Sequence, residues 1–200
     1  MFFNNKFILA SSSYSRYKIL KQNGLNFTKK KPLCNETTLK KNLLKKKYTP
    51  KRISLELAKA KAKSIANKNI NKLVIGSDTI IQFNNVMFKK AENIKDAKKK
   101  IQKLSGKTHI LYSSAAAFYN KKIVWSATQK TYIKIRKLND KEIKTYLNKA
   151  GKNVLYSVGC YQIEKAGPNI IENIKGDFFN VMGFPLFPFL FFLKKFSIKK

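Results

Sequence analysis

The segment LVIGSDTII, residues 73–81, is the main clue to the fold of this chain. Its aliphatic and β-branched residues are typical of a buried strand, and Gly76 gives the backbone room to turn or to let a ligand approach. We therefore expect a strand that breaks at residues 76–79 and resumes with Ile80. The break places the carboxylate of Asp78 inside hydrophobic sequence. Because burial of a carboxylate is costly without a cation, a metal or several donors, Asp78 either is satisfied structurally or belongs to a functional site.

The N-terminal region predicts a strand, a hydroxyl-rich turn and a helix. Residues 7–10 are apolar, residues 11–16 hold four serines and Arg16, and Asn23 and Gly24 end the helix that follows. One serine suffices to cap the free backbone N–H groups of a helix. The remaining hydroxyls favour an anion cradle at the helix start.

The rest of the chain alternates helical and strand patterns. Strand patterns cover residues 25–31, 82–90 (as a hairpin around Asn84 and Asn85), 109–119, 122–136, 158–163 and 169–174. Helical patterns cover residues 52–67, 93–104 and 139–148, residues 40–51 predict a lysine-rich loop, and residues 184–193 predict a terminal helix packed on the core or a dimer contact. We predict an α/β fold, with a mixed sheet flanked by helices, in one domain spanning residues 1–200.

The charge of the chain is extreme but carries little functional information. Lys and Arg number 43 against 10 acidic residues, which gives a formal net charge of +33. Only three basic residues are arginine, whereas dedicated phosphate and base readers favour its fork geometry. Lysines also occur along almost the whole chain, together with many Asn, Ile, Tyr and Phe. We attribute the charge mainly to AT-rich coding bias and expect weak, salt-dependent nucleic-acid binding as a side effect.

Several other classes of protein lack support in the sequence. It contains no P-loop, no dinucleotide-binding glycine motif, no zinc spacing and no nucleophile elbow. His109 is the only histidine, so a Ser-His-Asp triad is unsupported and a structural role is favoured. The two distant cysteines fit a reducing cytoplasm. Residues 184–193 are too short to span a bilayer.

Five motifs in order resemble one family. They are LAS-x-S-x-x-R at residues 9–16, A-x-x-KA at 58–62, GSDT at 76–79, LSGKTH at 104–109 and NVMGFP at 180–185. Together these motifs, which extend over nearly the whole chain, resemble those of the Maf proteins, the septum-formation-type nucleoside triphosphate pyrophosphatases.

The resemblance implies a fold, a reaction and partners. The fold would be an elongated mixed sheet flanked by helices, with two lobes around a nucleotide cleft, similar to inosine-triphosphate pyrophosphatase. The reaction would hydrolyse a nucleoside triphosphate to the monophosphate and pyrophosphate with Mg²⁺ or Mn²⁺. A homodimer is compatible with the resemblance, and we expect no specific nucleic-acid partner and no membrane partner.

The resemblance also carries site roles onto this chain. The catalytic carboxylate falls on Asp78, which would act as general base or metal ligand, with Glu36 as second metal ligand. The remaining positions are Lys61 and Lys90 as catalytic lysines, Ser11, Ser13 and Arg16 as phosphate binders, and Ser15, Thr79 and Glu164 as positions of base choice. From its sequence context alone, Glu36 is a solvated loop carboxylate.

Departures from the family motifs leave the base open. Members that cleave dTTP and UTP have Ser-Pro-Arg-Arg in the first loop, where this chain has Tyr14, Ser15 and Arg16, and they have Gln in place of Glu164. Both departures resemble the branch that acts on 7-methylguanosine triphosphate, but that branch has Gln in place of Thr79. Two other functions are alternatives: a basic nucleic-acid-binding protein, and a nucleotide-binding regulator of cell division without turnover.

Overall fold

The computed structural model describes residues 6–196 and confirms the mixed α/β class. The strands are β1 Phe7–Ala10, β2 Phe27–Lys30, β3 Leu73–Phe83, β4 Val86–Met87, β5 Thr108–Tyr119, β6 Lys122–Ile135 and β7 Ile171–Lys175. The helices are α1 Tyr14–Gln22, α2 Glu36–Lys45, α3 Pro50–Ala66, α4 Ile94–Leu104, α5 Asp140–Ala150, α6 Phe178–Met182 and α7 Leu186–Lys195. Two short 3₁₀ helices, Gly151–Tyr156 and Gly167–Asn169, complete the described secondary structure.

All seven strands form one mixed sheet. Its order is β2-β1-β3-β5-β6-β7, and β4 pairs with β3. Strand β1 lies parallel to both of its neighbours, with Ala10 opposite Gly76 of β3, whereas β6 and β7 are antiparallel. The parallel β1–β3 pairing therefore brings the residues that follow β1 to the same part of the sheet as the middle of β3.

Two predicted hairpins form because their turn residues accept a positive φ. Asn84 and Asn85 have φ of 47° and 60°, and Asn120 and Lys121 have φ of 48° and 64°. Two successive residues in this region make a two-residue turn whose twist matches that of the flanking strands. The turns join β3 to β4 and β5 to β6.

The chain divides into two compact units. The first comprises Met1–Thr79, Tyr112–Gln129 and Gly183–Lys200, and the second comprises Ile80–Leu111 and Lys130–Met182. Each has its own buried hydrophobic cluster. The first unit includes a cluster in which Ile65 of α3 packs with Ile8 and Val74 of the sheet. The cluster of the second unit includes Ile101 of α4 and Ile143 of α5.

Three sequence predictions are wrong. Residues 36–45 form α2, not a loop, because Asn35 caps its first turn and Leu43 is buried. Strand β3 continues through residues 76–79 without a break. Residues 158–163 form no strand, since Cys160 has a φ of 58°, which an extended strand does not allow.

The apolar C-terminal segment forms helix α7, as predicted. Leu186, Phe189 and Leu193 are buried, and Phe189 contacts the ring of Phe7 edge-on. The Trp125 ring stacks on Phe192 with centroids 5.1 Å apart. Within residues 6–196, no helix combines the length and apolarity that a membrane span requires.

Candidate active site

Asp78 lies in the middle of β3 and points toward helix α3. Side chains alternate along a strand, so Gly76 and Asp78 share one face. A Cβ at Gly76 would collide with the backbone oxygen of Ala58 and lie 2.5 Å from the backbone nitrogen of Ala62. The absence of a side chain at position 76 therefore lets α3 approach the sheet closely enough for Lys61 to reach Asp78.

Lys61 is the centre of a three-residue ionic cluster. Its Nζ lies 2.7 Å from Asp78 Oδ1 and 2.8 Å from Glu36 Oε2. The side chain of Lys61 is 7% exposed, that of Asp78 is 12% exposed and that of Glu36 is 49% exposed. The cluster thus runs from the solvent at Glu36 to the interior at Asp78, with the ammonium group between the two carboxylates.

Glu36 reaches this cluster because it begins helix α2. Asn35 accepts a hydrogen bond from the Thr38 backbone N–H and caps the helix. A carboxylate in the first helical turn also interacts favourably with the helix dipole. Glu36 therefore lies in a helix, and the expectation that it lies in a loop was wrong. The metal role that the resemblance gives to Glu36 stays a prediction.

Arg16 is buried and holds three parts of the first unit together. Its Nε donates to the carbonyl oxygen of Gly183 at 2.8 Å, one terminal nitrogen donates to Thr79 Oγ1 at 2.9 Å, and the other donates to Ser11 Oγ at 3.3 Å. The Gly183 carbonyl also accepts from Ser77 at 3.2 Å and from Thr79 at 3.3 Å. Arg16 therefore has a fixed orientation, imposed by protein acceptors.

Burial and nearby charges act on Arg16 in opposite directions. Burial lowers the pKa of its guanidinium from the ordinary value, and the carboxylates of Asp78 and Glu36 raise it. An arginine stays protonated at such sites because its ordinary pKa is so high. Arg16, Lys61, Asp78 and Glu36 thus make a cluster with two positive and two negative charges.

Ser13 caps helix α1, as its sequence context suggested. Its hydroxyl accepts from the Arg16 backbone N–H at 3.4 Å, and its own backbone N–H donates to Ser11 Oγ at 3.2 Å. Ser11 thereby connects the cap to the Arg16 guanidinium. The serines of the first turn fix the start of α1 and the direction of Arg16, and their phosphate role remains a prediction.

Sequence reasoning missed a set of buried hydroxyls near these residues. Ser54 and Ser114 lie 2.6 Å apart through their Oγ atoms, and Ser114 lies 2.8 Å from Thr128 Oγ1. Ser113 pairs with Thr79 at 2.9 Å. The sequence feature that could have revealed these hydroxyl groups is the pair of serines that interrupts the apolar run of β5. Buried polar groups require partners, so such a pair predicts a buried hydrogen-bond network.

The structure brings most of the predicted site residues into one unit. Those of the first unit are Ser11, Ser13, Ser15, Arg16, Glu36, Lys61, Asp78 and Thr79, and those of the second are Lys90 and Glu164. Ser15 lies within α1 and is half-buried. In the second unit, Lys100 Nζ donates to the Lys90 carbonyl oxygen at 3.0 Å.

Asp78 and Glu36 have the right chemistry for a hard divalent cation. Carboxylate oxygens are preferred ligands of Mg²⁺, which usually keeps several waters and also binds substrate phosphates. The part of the chain that the structure describes contains no group of three or more His, Cys, Asp or Glu residues arranged to hold a metal. Both carboxylates form ion pairs with Lys61.

Comparison with known proteins gives the family. The sequence model described as Maf-like protein matches residues 6–196. The chain belongs to the Maf family. A relative called 7-methyl-GTP pyrophosphatase, from Bartonella quintana (strain Toulouse), is 40% identical to it, with 96% of each chain covered. A relative called nucleoside triphosphate pyrophosphatase, from Pelagibacter ubique (strain HTCC1062), is 34% identical over 90% of this chain and 92% of its own.

A third relative extends this pattern within the Maf family. A protein called 7-methyl-GTP pyrophosphatase, from Brucella suis biovar 1 (strain 1330), is 34% identical over 95% of this chain and 96% of its own length. The family resemblance inferred from the five motifs is thus confirmed. The match extends over both compact units, so the motifs in each belong to the same family pattern.

Proposed function

We propose that this Maf protein hydrolyses a nucleoside triphosphate to the monophosphate and pyrophosphate. The observation that carries the proposal is the buried cluster of Asp78 and Lys61 with Glu36, beside Arg16, in a chain of this family. Relatives named as pyrophosphatases over nearly the full chain support the reaction class. The enzyme is then a hydrolase of phosphorus-containing anhydrides.

The substrate sets the chemical requirements of the site. Attack of water on the α-phosphorus forms one P–O bond, breaks the bond from that phosphorus to the bridging oxygen, and releases pyrophosphate. The attacking water must lose a proton, and the phosphates carry charge that repels a nucleophile. Asp78 acts as general base or metal ligand, and Lys61 supplies positive charge to the phosphate oxygens.

Other residues position the substrate and the metal. Ser11 and Ser13 supply hydroxyls at the start of α1, where backbone N–H groups favour anions. We assign phosphate binding to Arg16 and Lys90 as well, and base choice to Ser15, Thr79 and Glu164. When bound, Mg²⁺ or Mn²⁺ would stabilise charge on the phosphate oxygens, and Asp78 and Glu36 would hold it.

The preferred substrate that we propose is 7-methylguanosine triphosphate. Two of the relatives described above carry that substrate in their names, and the chain has Glu164 where dTTP- and UTP-cleaving members have Gln. A guanine methylated at N7 is cationic, so a carboxylate favours it over unmethylated guanine by charge attraction. Replacement of Glu164 by Gln should therefore reduce kcat/KM for the methylated substrate more than for GTP. Equal losses for both substrates would contradict this role.

The first experiment is a pyrophosphate-release assay on purified protein with Mg²⁺ or Mn²⁺. The substrates are dTTP, UTP, CTP, GTP and 7-methylguanosine triphosphate, and the control is Asp78→Asn. We expect release from one or two substrates, most from the methylated one, and its loss in the control. Folded protein that releases no pyrophosphate from any substrate with either metal would overturn the enzymatic proposal.

The oligomeric state and the cellular location of the protein are also proposed. We place it in the cytoplasm as a homodimer, with the nucleotide as its partner and without a specific nucleic-acid or membrane partner. Light scattering after gel filtration tests the dimer, for which a monomer mass would be the contrary result. Binding to RNA or DNA should disappear as salt rises, because it depends on lysine–phosphate attraction. Binding that persists at near-physiological salt would favour the nucleic-acid-binding alternative.

A further inference from the structure

We propose that Lys61 is a lock that keeps free divalent metal off the Asp78–Glu36 pair until a triphosphate arrives. This inference rests on the proposed function, since it concerns the metal that the reaction would use. It assigns to Lys61 a role before catalysis, in addition to contact with the phosphates. The lysine and the metal compete for the same two carboxylates.

The geometry supports this competition. One ammonium nitrogen lies within hydrogen-bonding distance of an oxygen from each carboxylate, at 2.7 and 2.8 Å. A divalent ion that used these same two oxygens as ligands would compete with this nitrogen for the position between them. Two cations cannot share that position, because at such short distances their repulsion is strong in a partly buried site.

The charge balance supports it further. Asp78 and Glu36 are offset by Lys61 and by Arg16, whose pKa is sensitive to both carboxylates. The cluster is therefore neutral without any metal. A divalent cation alone would make it strongly positive in a buried site, whereas a metal that arrives with a polyanionic triphosphate brings its own counter-charge.

The cluster is also built so that Lys61 can change partners. Its bond to Glu36 lies at the solvent end, and Glu36 is about half exposed. Solvent at the Glu36 end therefore screens the charge attraction of this ion pair. Its ion pair with Asp78 is more buried and is therefore screened less by solvent. An incoming triphosphate offers oxygens that can take over Lys61, which frees both carboxylates for the metal.

The test is direct measurement of Mn²⁺ binding without nucleotide, from the EPR signal of free Mn²⁺ at fixed pH and ionic strength. We expect Lys61→Met to bind Mn²⁺ at least tenfold more tightly than the wild type. The matched control is Lys59→Met, on the same helix, whose side chain pairs with Glu56 at 3.0 Å instead. Its affinity should equal that of the wild type. Lys61→Arg keeps the positive charge, so its Mn²⁺ binding should be as weak as that of the wild type.

Two further variants test whether the tighter Mn²⁺ binding depends on Asp78 and whether it depends on the Met substitution itself. In the double variant Lys61→Met with Asp78→Asn, the tighter Mn²⁺ binding should disappear. Lys61→Gln keeps a polar side chain and serves if Lys61→Met does not fold, and it should show the same gain. Folded Lys61→Met or Lys61→Gln protein with wild-type Mn²⁺ affinity would overturn the lock.

The assay separates failure of the lock from failure of the proposed function. Pyrophosphate release by the wild type, with unchanged Mn²⁺ affinity in the Lys61 variants, overturns the lock and leaves the enzyme in place. Tighter Mn²⁺ binding in the Lys61 variants without pyrophosphate release by the wild type supports the competition and overturns the proposed reaction.

Discussion

The first unit buries Asp78, Lys61 and Arg16 as charged groups that have charged or polar partners. The second unit buries titratable groups beside neutral partners. These groups are His109, Tyr146, Cys160 and Tyr161. His109 Nε2 lies 2.6 Å from the Tyr161 hydroxyl, and the Tyr146 hydroxyl donates to the Cys160 carbonyl at 2.9 Å. Burial lowers the pKa of His109 to about 4 and raises that of Cys160 to about 11. It raises the pKa values of both tyrosines as well.

The difference supports the role that we propose for the ionic cluster of the first unit. Buried ion pairs are weak evidence for stability, because apolar replacements of similar volume are often neutral or stabilising. The first unit retains such a cluster at a cost, whereas burial in the second unit favours the neutral forms of the four groups named above. Buried charge that is retained beside the half-exposed Glu36 supports the function that we propose for the cluster, whereas neutral burial is typical of a core.

The largest expected effect in this comparison is on turnover. Asp78→Asn removes the charge of the carboxylate but retains its shape, so we expect pyrophosphate release to fall by about 10²–10⁴-fold, the usual contribution of a general base. The fold should persist, because the amide oxygen still accepts from Lys61. Pyrophosphate release and thermal unfolding should be measured together. A near-normal rate of pyrophosphate release by this variant would contradict a catalytic role of Asp78.

The next effect is on stability and concerns the second unit. His109 has a pKa of about 4 in the folded protein, whereas its ordinary value is 6.5. Between these two pH values the imidazole binds a proton in the unfolded chain but not in the folded protein. Stability should therefore be full above pH 6.5, fall as the pH drops, and level off near pH 4. The expected loss is about 3 kcal/mol in the free energy of unfolding.

Urea unfolding across this pH range, with His109→Gln as the comparison, measures the effect. The variant lacks the titrating ring, so its free energy of unfolding should fall less between pH 6.5 and 4. Equal pH dependence in both proteins would show that folding does not lower the pKa of His109.

The third effect tests how the first unit forms its ionic cluster. Gly76→Ala would drive a methyl group into the backbone of α3 at Ala58 and Ala62. We expect a loss of about 1–3 kcal/mol in the free energy of unfolding, together with lower turnover, because α3 must move and Lys61 with it. Ala58→Gly added to this variant should not restore either property, since the colliding atoms are backbone. Restoration would show that the Ala58 methyl group was the obstacle.

The smallest effect belongs to a buried neutral contact. Tyr146→Phe removes the hydrogen bond to the Cys160 carbonyl, which should cost about 1 kcal/mol in the free energy of unfolding. Turnover by the folded variant should not change, because the hydroxyl serves only packing of the second unit. Denaturant unfolding and pyrophosphate release under native conditions measure the two properties. A marked loss of turnover would weaken the division between the two kinds of burial.

Local chemistry made several elements predictable. Asn93 and Asn139 cap α4 and α5, with a full capping box between Asn139 and Glu142. Asn-rich turns accept positive φ and close two hairpins. Helix α2 was missed because its single buried residue, Leu43, gives almost no apolar periodicity among lysines. The five-residue helix α6 was also missed.

Other features depend on contacts that no local pattern encodes. Residues 158–163 were predicted to form a strand, yet Cys160, Tyr161 and Ile163 are buried in the core of the second unit without strand pairing. Gly76 suggested a break, but its lack of a side chain serves close packing of α3 on an unbroken β3. In both cases the residue type was informative, and the reason for it lay in distant neighbours.

The α/β class, most element positions, the family and the residues proposed for the site could be predicted from the sequence, because periodicity, caps, turns and motifs are local properties. The three-dimensional packing was needed to show that Lys61 joins Asp78 to Glu36, and that the Gly183 carbonyl, 167 positions away in the sequence, fixes Arg16. Such contacts require α3 to pack on β3 and β1 to pair beside it. The electrostatics of the site follow from that packing, since burial and partners, more than residue type, set the free energy of a charge.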